Sequence, residues 1–306
     1  MAQPLVAGIY TADPEQLSLA ATLPRFLELE RRERSLILAL WRQSRRAPVQ
    51  AKGVSGARWS LFVTFADGME TLVSALADRL PPGSARLGTP VAALTRSGNR
   101  WRIVLTSRET LEADGVLLTC ESHQSARIVR DLAPDLARLL GEIPYASSAT
   151  VSLGYRREAV PHPLDGFGFV VPRSERRPIL ACTFSSVKYP GRAADGYALL
   201  RVFLGGALDE GLLKEDDEAL IAIARGQLAE LLGVTHPPLL TRVHRHPAAM
   251  PQYRVGHLEL VAQIEKAVAL LPGLGLAGAA YRGVGISDCI HSGEPAAAQL
   301  LATLSA

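Results

Sequence analysis

The order of apolar segments along the chain constrains its fold more than any other feature. Segments with helical periodicity alternate with short apolar runs towards both ends, whereas strand-like runs follow one another in the middle. Alternation predicts helices packed on a sheet, and consecutive strands predict an antiparallel region. We therefore expect an α/β framework formed by residues 61–143 and 251–306. A strand-rich α+β domain, residues 144–250, is inserted into it, and a helical basic segment, residues 1–60, precedes both.

The individual elements follow from apolar periodicity and from turn residues. Expected helices cover 14–42, Met69–Leu80, His123–Leu140, 215–232, 256–271 and 285–304. Expected strands cover Phe62–Phe65, Ala85–Leu94, Trp101–Thr106, Gly115–Thr119, Thr150–Tyr155, Phe167–Val171, Ile179–Phe184, Tyr197–Leu204, Leu240–His244 and 274–278. The apolar run Gly115–Thr119 is typical of a strand buried on both faces. Ser97-Gly98-Asn99 indicates a hairpin.

Size and hydropathy predict a globular protein of about two domains. The chain has 306 residues, of which 48% are hydrophobic, and a mean hydropathy of +0.13. No run of 18 apolar residues predicts a transmembrane helix. Asp13, Pro14 and Glu15 interrupt the N-terminal stretch too early for a signal peptide. Cys120, Cys182 and Cys289 are far apart, which indicates reduced thiols in a cytoplasmic protein with neither a disulfide nor a metal site.

The first 60 residues are basic. They contain nine Lys or Arg against five Asp or Glu, interleaved with apolar residues such as Leu36 and Trp41. Such a stretch forms either a helix with a solvated arginine face or a surface that contacts an anionic membrane or an acidic substrate. The chain has 6% aromatic residues and no basic stripe with stacking rings, so we expect no nucleic-acid partner.

Gly273, Gly275 and Gly278 spell the pattern GxGxxG, but in the wrong context for a nucleotide site. That site requires a strand before the glycines and a helix that starts on them. Here a predicted helix precedes the glycines and a predicted strand passes through them. We interpret Gly273 as the turn after Pro272.

A more informative stretch runs from Leu276 to Gly293. A predicted strand leads into a glycine-rich bend at Gly283 and Gly285, and a helix follows. Glycine allows close approach of the backbone to a flat ligand. The helix start presents free N–H groups and partial positive charge, which suit the negatively charged edge of a reduced flavin. A plain turn before a helix is the alternative.

This stretch resembles the C-terminal flavin motif of the protoporphyrinogen oxidase family, a branch of the amine-oxidase-like flavoproteins. Ala279, Ser287 and His291 stand where Asn, Pro and Arg are commoner in that motif. Six further segments resemble family motifs in the same order along the chain. They are Gly8–Ser18, Phe65–Leu72, Gly88–Val91, Leu164–Pro172, Thr183–Ser186 and Ala249–His257.

The resemblance implies a partial FAD-binding domain of the glutathione-reductase-like or amine-oxidase-like type, with an inserted substrate domain. It implies FAD as cofactor, with contacts from Val91, Thr119, His246, Ala279, Tyr281, Gly283, Val284, Gly285 and Ile286. Phe167, Phe169, Val171 and Phe184 are expected either to line a tetrapyrrole pocket or to fill the core. The sequence indicates no catalytic acid or base.

The activity that the resemblance implies is oxidation of a porphyrinogen, either protoporphyrinogen IX or coproporphyrinogen III, in haem biosynthesis. FAD accepts hydride and dioxygen reoxidises it. In the family, a strand–GxGxxG–helix unit precedes the segment that Gly8–Ser18 resembles. Because this sequence begins at Met1 just before that segment, we expect a truncated or split enzyme. Such a chain would bind FAD weakly or not at all by itself, and its partner would be an N-terminal FAD domain or a second copy.

Two alternatives remain open at this point. The chain could be an inactive remnant that binds a tetrapyrrole or a partner protein. It could also be another oxidoreductase of the amine-oxidase-like fold, such as an amine oxidase or a carotenoid desaturase. The segments around Leu164 and Gln252 favour the porphyrinogen branch.

Overall fold

The computed structural model describes residues 10–46, 63–98 and 100–304. Two compact units make up the chain: Met1–Ala21 together with Pro90–Ala306, and Thr22–Thr89. The functional division into 1–60, 61–143 with 251–306, and 144–250 stays a prediction. None of the helices in the described part of the chain has the length and apolar character needed to cross a bilayer.

Ten helices and ten strands are named among the described residues. The helices are α1 (Leu19–Thr22), α2 (Pro24–Glu33), α3 (Leu36–Arg46), α4 (Glu70–Ala77), α5 (Ser122–Val129), α6 (Pro134–Gly141), α7 (Ser185–Lys188), α8 (Asp217–Leu232), α9 (His257–Ala269) and α10 (Ile286–Leu304). The strands are β1 (Val91–Ser97), β2 (Arg100–Leu105), β3 (Thr110–Ala113), β4 (Val116–Leu118), β5 (Tyr145–Arg156), β6 (Gly168–Val170), β7 (Ala181–Phe184), β8 (Tyr197–Gly205), β9 (Leu240–Pro251) and β10 (Leu274–Leu276).

The expected helix over 14–42 is wrong as a single element, because two local signals break it. Pro24 has no N–H to donate, so it opens α2. Arg34 adopts the left-handed conformation with φ 58°, which ends α2. The Ser35 hydroxyl then accepts a hydrogen bond from the Leu38 N–H at 3.3 Å and caps α3.

Three other boundaries also differ from expectation. The helix expected over His123–Leu140 divides into α5 and α6, because Pro134 starts a new helix. Residues 63–65 form no strand, and Phe62 lies outside the described residues. The strand expected over Ala85–Leu94 begins only at Val91.

The hairpin prediction at residues 97–99 is confirmed. Strands β1 and β2 pair antiparallel with Ser97 opposite Arg100, and β3 completes a three-stranded sheet. Asn99 itself lies outside the described residues. The Trp101 side chain is fully buried in the core formed by this sheet, α5, α6 and α9.

The two short apolar runs at 115–119 and 274–278 are strands, as predicted, and they pair with each other. Strands β4 and β10 run parallel, with Leu117 opposite Gly275. The expected burial on both faces is only partly correct, because Val116 and Leu117 are half-buried. Within the described residues β10 pairs on one edge only. A cavity of 750 Å³ lies along β10 between α9 and α10.

Residues 145–251 contain a five-stranded antiparallel sheet with the order β6-β7-β8-β5-β9. One face packs against α8 through a closed apolar core that includes Val151, Leu200 and Leu228. Helix α8 ends where expected, because Gly233 takes the left-handed conformation with φ 71°. Strand β9 is longer than predicted and continues to Pro251, next to the candidate site.

Candidate functional site

The candidate site is the bend that connects β10 to α10, residues 277–286. The Ala277 N–H donates to the Leu118 carbonyl oxygen at 3.0 Å and extends the parallel pairing into the bend. Gly278 then turns with φ 116°. Its N–H donates to the Ser292 hydroxyl at 2.8 Å, which attaches the start of the bend to α10.

A buried tyrosine joins the two ends of this bend. The Tyr253 hydroxyl donates to the Ala279 carbonyl oxygen at 2.6 Å and accepts from the Gly283 N–H at 2.8 Å. Its side chain is fully buried, and burial raises the pKa of this phenol above its usual value. The hydroxyl therefore stays protonated and serves as donor and acceptor at once.

His257 supports the same bend from the start of α9. Its ring stacks on the Tyr253 ring with centroids 4.0 Å apart. Nε2 lies 2.9 Å from the Tyr281 carbonyl oxygen. Since a carbonyl can only accept, Nε2 carries the proton. Burial, reinforced by the nearby Arg282 guanidinium, lowers the pKa of His257 despite the opposing effect of the Tyr281 hydrogen bond.

The segment from Tyr10 to Ser18 packs on the outer side of Tyr253. The Tyr10 ring lies 6.2 Å from the Tyr253 ring, centroid to centroid. The Gln252 side-chain amide donates to the Tyr10 carbonyl oxygen at 3.0 Å, and the Ser18 N–H donates to the Tyr253 carbonyl oxygen at 2.8 Å. Two segments more than 200 residues apart in sequence therefore form one support for the bend.

Glycine is needed at positions 283 and 285 because the Asp288 side chain, in the first turn of α10, leaves no room for a Cβ atom at either position. At Gly283, with φ 157°, a Cβ atom would lie 2.5 Å from the Asp288 Cβ. At Gly285, a Cβ atom would lie 2.9 Å from Asp288 Oδ2. That oxygen accepts from the Gly285 N–H at 3.1 Å, so Asp288 caps the start of the helix.

The start of α10 also retains unused donors. The N–H groups of Ile286 and Ser287 have no hydrogen-bond partner within the described chain, and both residues are exposed. An exposed helix start with free donors attracts negative charge. The bend therefore fits the anionic edge of a reduced flavin, although the Asp288 carboxylate places a negative charge at the same helix start.

The structure brings most of the predicted cofactor residues together. Ala279, Tyr281, Gly283, Val284, Gly285 and Ile286 all belong to the bend or to the first residue of α10. The Thr119 carbonyl oxygen lies 3.3 Å from where a Cβ of Gly278 would be. Val91, by contrast, opens β1 in the three-stranded sheet, and His246 lies exposed on β9 opposite Ser148. Their contacts with a cofactor stay predictions.

The four predicted substrate residues divide between surface and core. Phe167 is 67% exposed, whereas Phe184 is 3% exposed and packs in the core between the five-stranded sheet and α8. Phe169 and Val171 pack against that core and are partly buried. Their positions favour the core-filling alternative for Phe184 and leave Phe167 free for other contacts.

The interpretation of the GxGxxG pattern is confirmed. Helix α9 precedes these glycines and β10 passes through them. Gly273 forms a turn with φ 82°. Among the described residues no cluster of His, Cys, Asp and Glu could hold a metal ion.

Sequence reasoning missed the residues that hold the bend in place. Tyr10, Tyr253, His257 and Asp288 lie in segments that resemble family motifs, but the sequence assigns none of them a role in supporting the bend. A signal was available, since the segments around Tyr10, Tyr253 and Asp288 each matched a family pattern. Only the fold shows that the three segments contact one another.

Tyr253→Phe should destabilise the bend, because it removes one donor and one acceptor at buried positions. We expect a loss of about 1–3 kcal/mol in the free energy of unfolding, measured by urea denaturation. Tyr189→Phe, which alters a partly buried tyrosine outside this core, is the matched control. Equal stability of the two variants would contradict the bridging role.

Stability should fall in mild acid because His257 is buried in its neutral form. Its folded-state pKa lies below the ordinary value of 6.5. The unfolded chain therefore binds a proton first as the pH falls. Stability is complete above about pH 6.5 and declines as the pH falls towards the lower folded pKa.

The difference between the parent chain and His257→Gln isolates this effect. We expect the stability advantage of the parent over the variant to shrink between about pH 7.5 and pH 5.5 in urea unfolding. Parallel pH profiles for the two chains would exclude His257 as the group responsible.

Comparisons with known proteins agree with this geometry. Residues 1–301 match the family described as flavin containing amine oxidoreductase. The chain is 33% identical to a coproporphyrinogen III oxidase of Bacillus subtilis, over 99% of this chain and 64% of that protein. It is 34% identical to a protoporphyrinogen oxidase of Bos taurus, over 98% of this chain and 65% of that protein.

Solved structures give the same result for the fold. The chain superposes on a crystal structure of an Exiguobacterium protein with a TM-score of 0.81 at 30% identity. The name of that protein describes it as a candidate protoporphyrinogen oxidase. The match covers 99% of this chain and 63% of that one. A putrescine oxidase superposes with a TM-score of 0.57 at 15% identity, which shows a shared fold alone. The chain is a member of the flavin containing amine oxidoreductase family.

Proposed function

We propose that the chain takes part in FAD-dependent oxidation of a porphyrinogen to a porphyrin in haem biosynthesis, with dioxygen as the acceptor. One observation supports this proposal above the others. The bend held by Tyr253 and His257 ends at a helix start with free donors. It occurs in a chain whose relatives at 31–36% identity are named coproporphyrinogen III or protoporphyrinogen oxidases.

The chain's own residues would position the cofactor rather than react. A bound flavin supplies the hydride acceptor. The Ile286 and Ser287 N–H groups would bind its anionic edge, and the absence of a side chain at Gly283 and Gly285 would allow close approach. Tyr253 would keep the bend in one conformation before the ligand arrives, so that little order is lost on binding.

The free edge of β10 provides a place for further polypeptide. The chain spans about 64% of the Bacillus subtilis relative's length. Within the described residues strand β10 pairs only with β4, and it borders a cavity of 750 Å³ lined by Val268, Pro295 and Leu300 among others. We propose that the remaining part of such a protein, in the same or another chain, adds a strand here and buries the half-exposed β4–β10 pair.

Complementation tests this proposal. The chain is mixed with the separately expressed N-terminal segment of the Bacillus subtilis relative, together with FAD and a porphyrinogen, and porphyrin fluorescence is followed. We expect oxidation above background with both chains present, because the added strand completes the sheet. Gly285→Val should abolish the gain, since its Cβ would displace Asp288 Oδ2, 2.9 Å away.

Gly293→Val is the matched control, because no atom lies within 4 Å of a Cβ at Gly293. Full activity of the chain alone would overturn the need for a partner. If no combination oxidises porphyrinogen while the chain binds porphyrin tightly, the binding-remnant alternative would be favoured. Oxidation of an amine substrate instead would favour another branch of the family.

The helical segment before residue 47 supports a second, peripheral role. Ile37 is 81% exposed and Trp41 is 50% exposed, on a helix that also carries Arg42. Exposed apolar residues next to basic ones can bind an anionic bilayer surface. We propose that this face contacts membranes.

Vesicle binding tests the membrane contact. The chain should cosediment with vesicles containing phosphatidylserine, and binding should fall as salt rises, because each basic residue contributes about 1 kcal/mol at low salt. Ile37→Ser with Trp41→Ser should weaken binding, whereas Leu239→Ser, an exposed leucine elsewhere, should not. Binding that does not depend on salt or on these two side chains would contradict the contact.

A further inference from the structure

The face of the five-stranded sheet that lies opposite α8 is cationic. Within their described bounds, the five strands of this sheet contain no Asp or Glu. Strand register places Arg156, Arg201, Arg242, His244 and His246 on this face, which we call the open face. A sheet surface with several cations and no carboxylate of its own is suited to an anionic ligand.

Two of these arginines occupy one row across the sheet. Ser152 of β5 lies opposite Arg201 of β8 on one side and opposite Arg242 of β9 on the other. Neighbouring strands are about 4.8 Å apart, so the two arginine backbones are separated by about 10 Å. Arg201 Nε donates to the Ser152 hydroxyl at 3.4 Å. A carboxylate above Ser152 would be within reach of both guanidinium groups.

Neither arginine is neutralised within the described chain. Arg201 and Arg242 are exposed and have no carboxylate within 4.0 Å. Other arginines of the same unit do form ion pairs, such as Arg177 with Glu230 at 2.6 Å and Arg245 with Asp217 at 2.7 Å. Arg245 follows the opposite side of β9. On β9, the unpaired Arg242 therefore belongs to the open face and the paired Arg245 to the other face.

Apolar surface flanks the arginine row. One neighbouring row is Leu199, Gly154 and Leu240, in which the Leu240 side chain packs against Gly154. The other neighbouring row contains Phe203 and Thr150. A ligand that fits this face therefore combines an apolar body with carboxylate groups at its edge.

We propose that Arg201 and Arg242 bind a carboxylate side chain of the tetrapyrrole whose ring lies on the open face. The identity of the ligand rests on the proposed function, whereas the anionic character of the site rests on the sheet itself. Guanidinium–carboxylate pairs are strong and directional. The row would therefore favour a tetracarboxylate ring over a dicarboxylate ring, and so influence which porphyrinogen is accepted.

Binding of oxidised porphyrin tests the site without any need for flavin. The full chain is titrated with coproporphyrin III, with protoporphyrin IX and with the tetramethyl ester of coproporphyrin, and porphyrin fluorescence is recorded. We expect the acid to bind more tightly than the ester. Arg201→Gln and Arg242→Gln should each weaken coproporphyrin binding about tenfold and leave ester binding unchanged.

Arg225→Gln is the matched control, because Arg225 is an exposed arginine on α8, away from the open face. Arg201→Lys should retain only part of the affinity, because it keeps the charge and loses the guanidinium geometry, and thermal unfolding checks that each variant is folded. Equal binding of acid and ester, no binding of coproporphyrin, or equal loss in Arg225→Gln would overturn the proposal. So would full affinity in the Arg201→Gln and Arg242→Gln variants.

The two proposals fail in different ways. Arginine-dependent binding without any porphyrinogen oxidation in the complementation assay would support this site and remove the proposed reaction. Oxidation that is unaffected by either arginine would retain the reaction and remove this site.

Discussion

A single phenol determines the shape of the candidate cofactor bend. The Tyr253 hydroxyl contacts the backbone at Ala279 and at Gly283, four residues apart. The intervening backbone has almost no regular hydrogen bonding of its own, so these two bonds, together with that from His257 to the Tyr281 carbonyl oxygen, fix its path. Because Tyr253 follows β9 directly, the end of the inserted sheet positions the bend. The five-stranded sheet and the bend are therefore joined through the Tyr253 side chain.

The inserted sheet has a different role on each face. Its inner face is closed and apolar, and it derives stability from packing against α8. The side chains of its open face do not pack into this core, so polar or cationic side chains can occupy that face with little desolvation cost. Strand alternation makes this division strict, since each residue on β5, β8 and β9 belongs to one face only. Stability and recognition are therefore encoded at alternating positions of the same strands.

Sequence analysis predicted elements with strong local signals and failed where two signals competed. Helix α8 was found because its apolar period ends at Gly233, and β4 and β10 because they are short apolar runs. Apolar periodicity concealed the breaks at Pro24 and Pro134, although proline is a reliable helix-starting residue. The bend was located from its glycines. The residues that support the bend could not be located in this way, because the contact between Tyr10 and Tyr253 depends on how distant segments fold together.

The free edge of β10 also bears on solubility during synthesis and storage. Exposed strand edges are templates for pairing between copies of a chain, and long, flat edges promote aggregation. Strand β10 has three residues with Gly275 at its centre, so it offers little length and little apolar side chain to an unselected strand. Helices α9 and α10 on either side restrict approach further. Such an edge would discriminate strongly: only a segment that fills the adjacent cavity as well gains enough contact to remain bound.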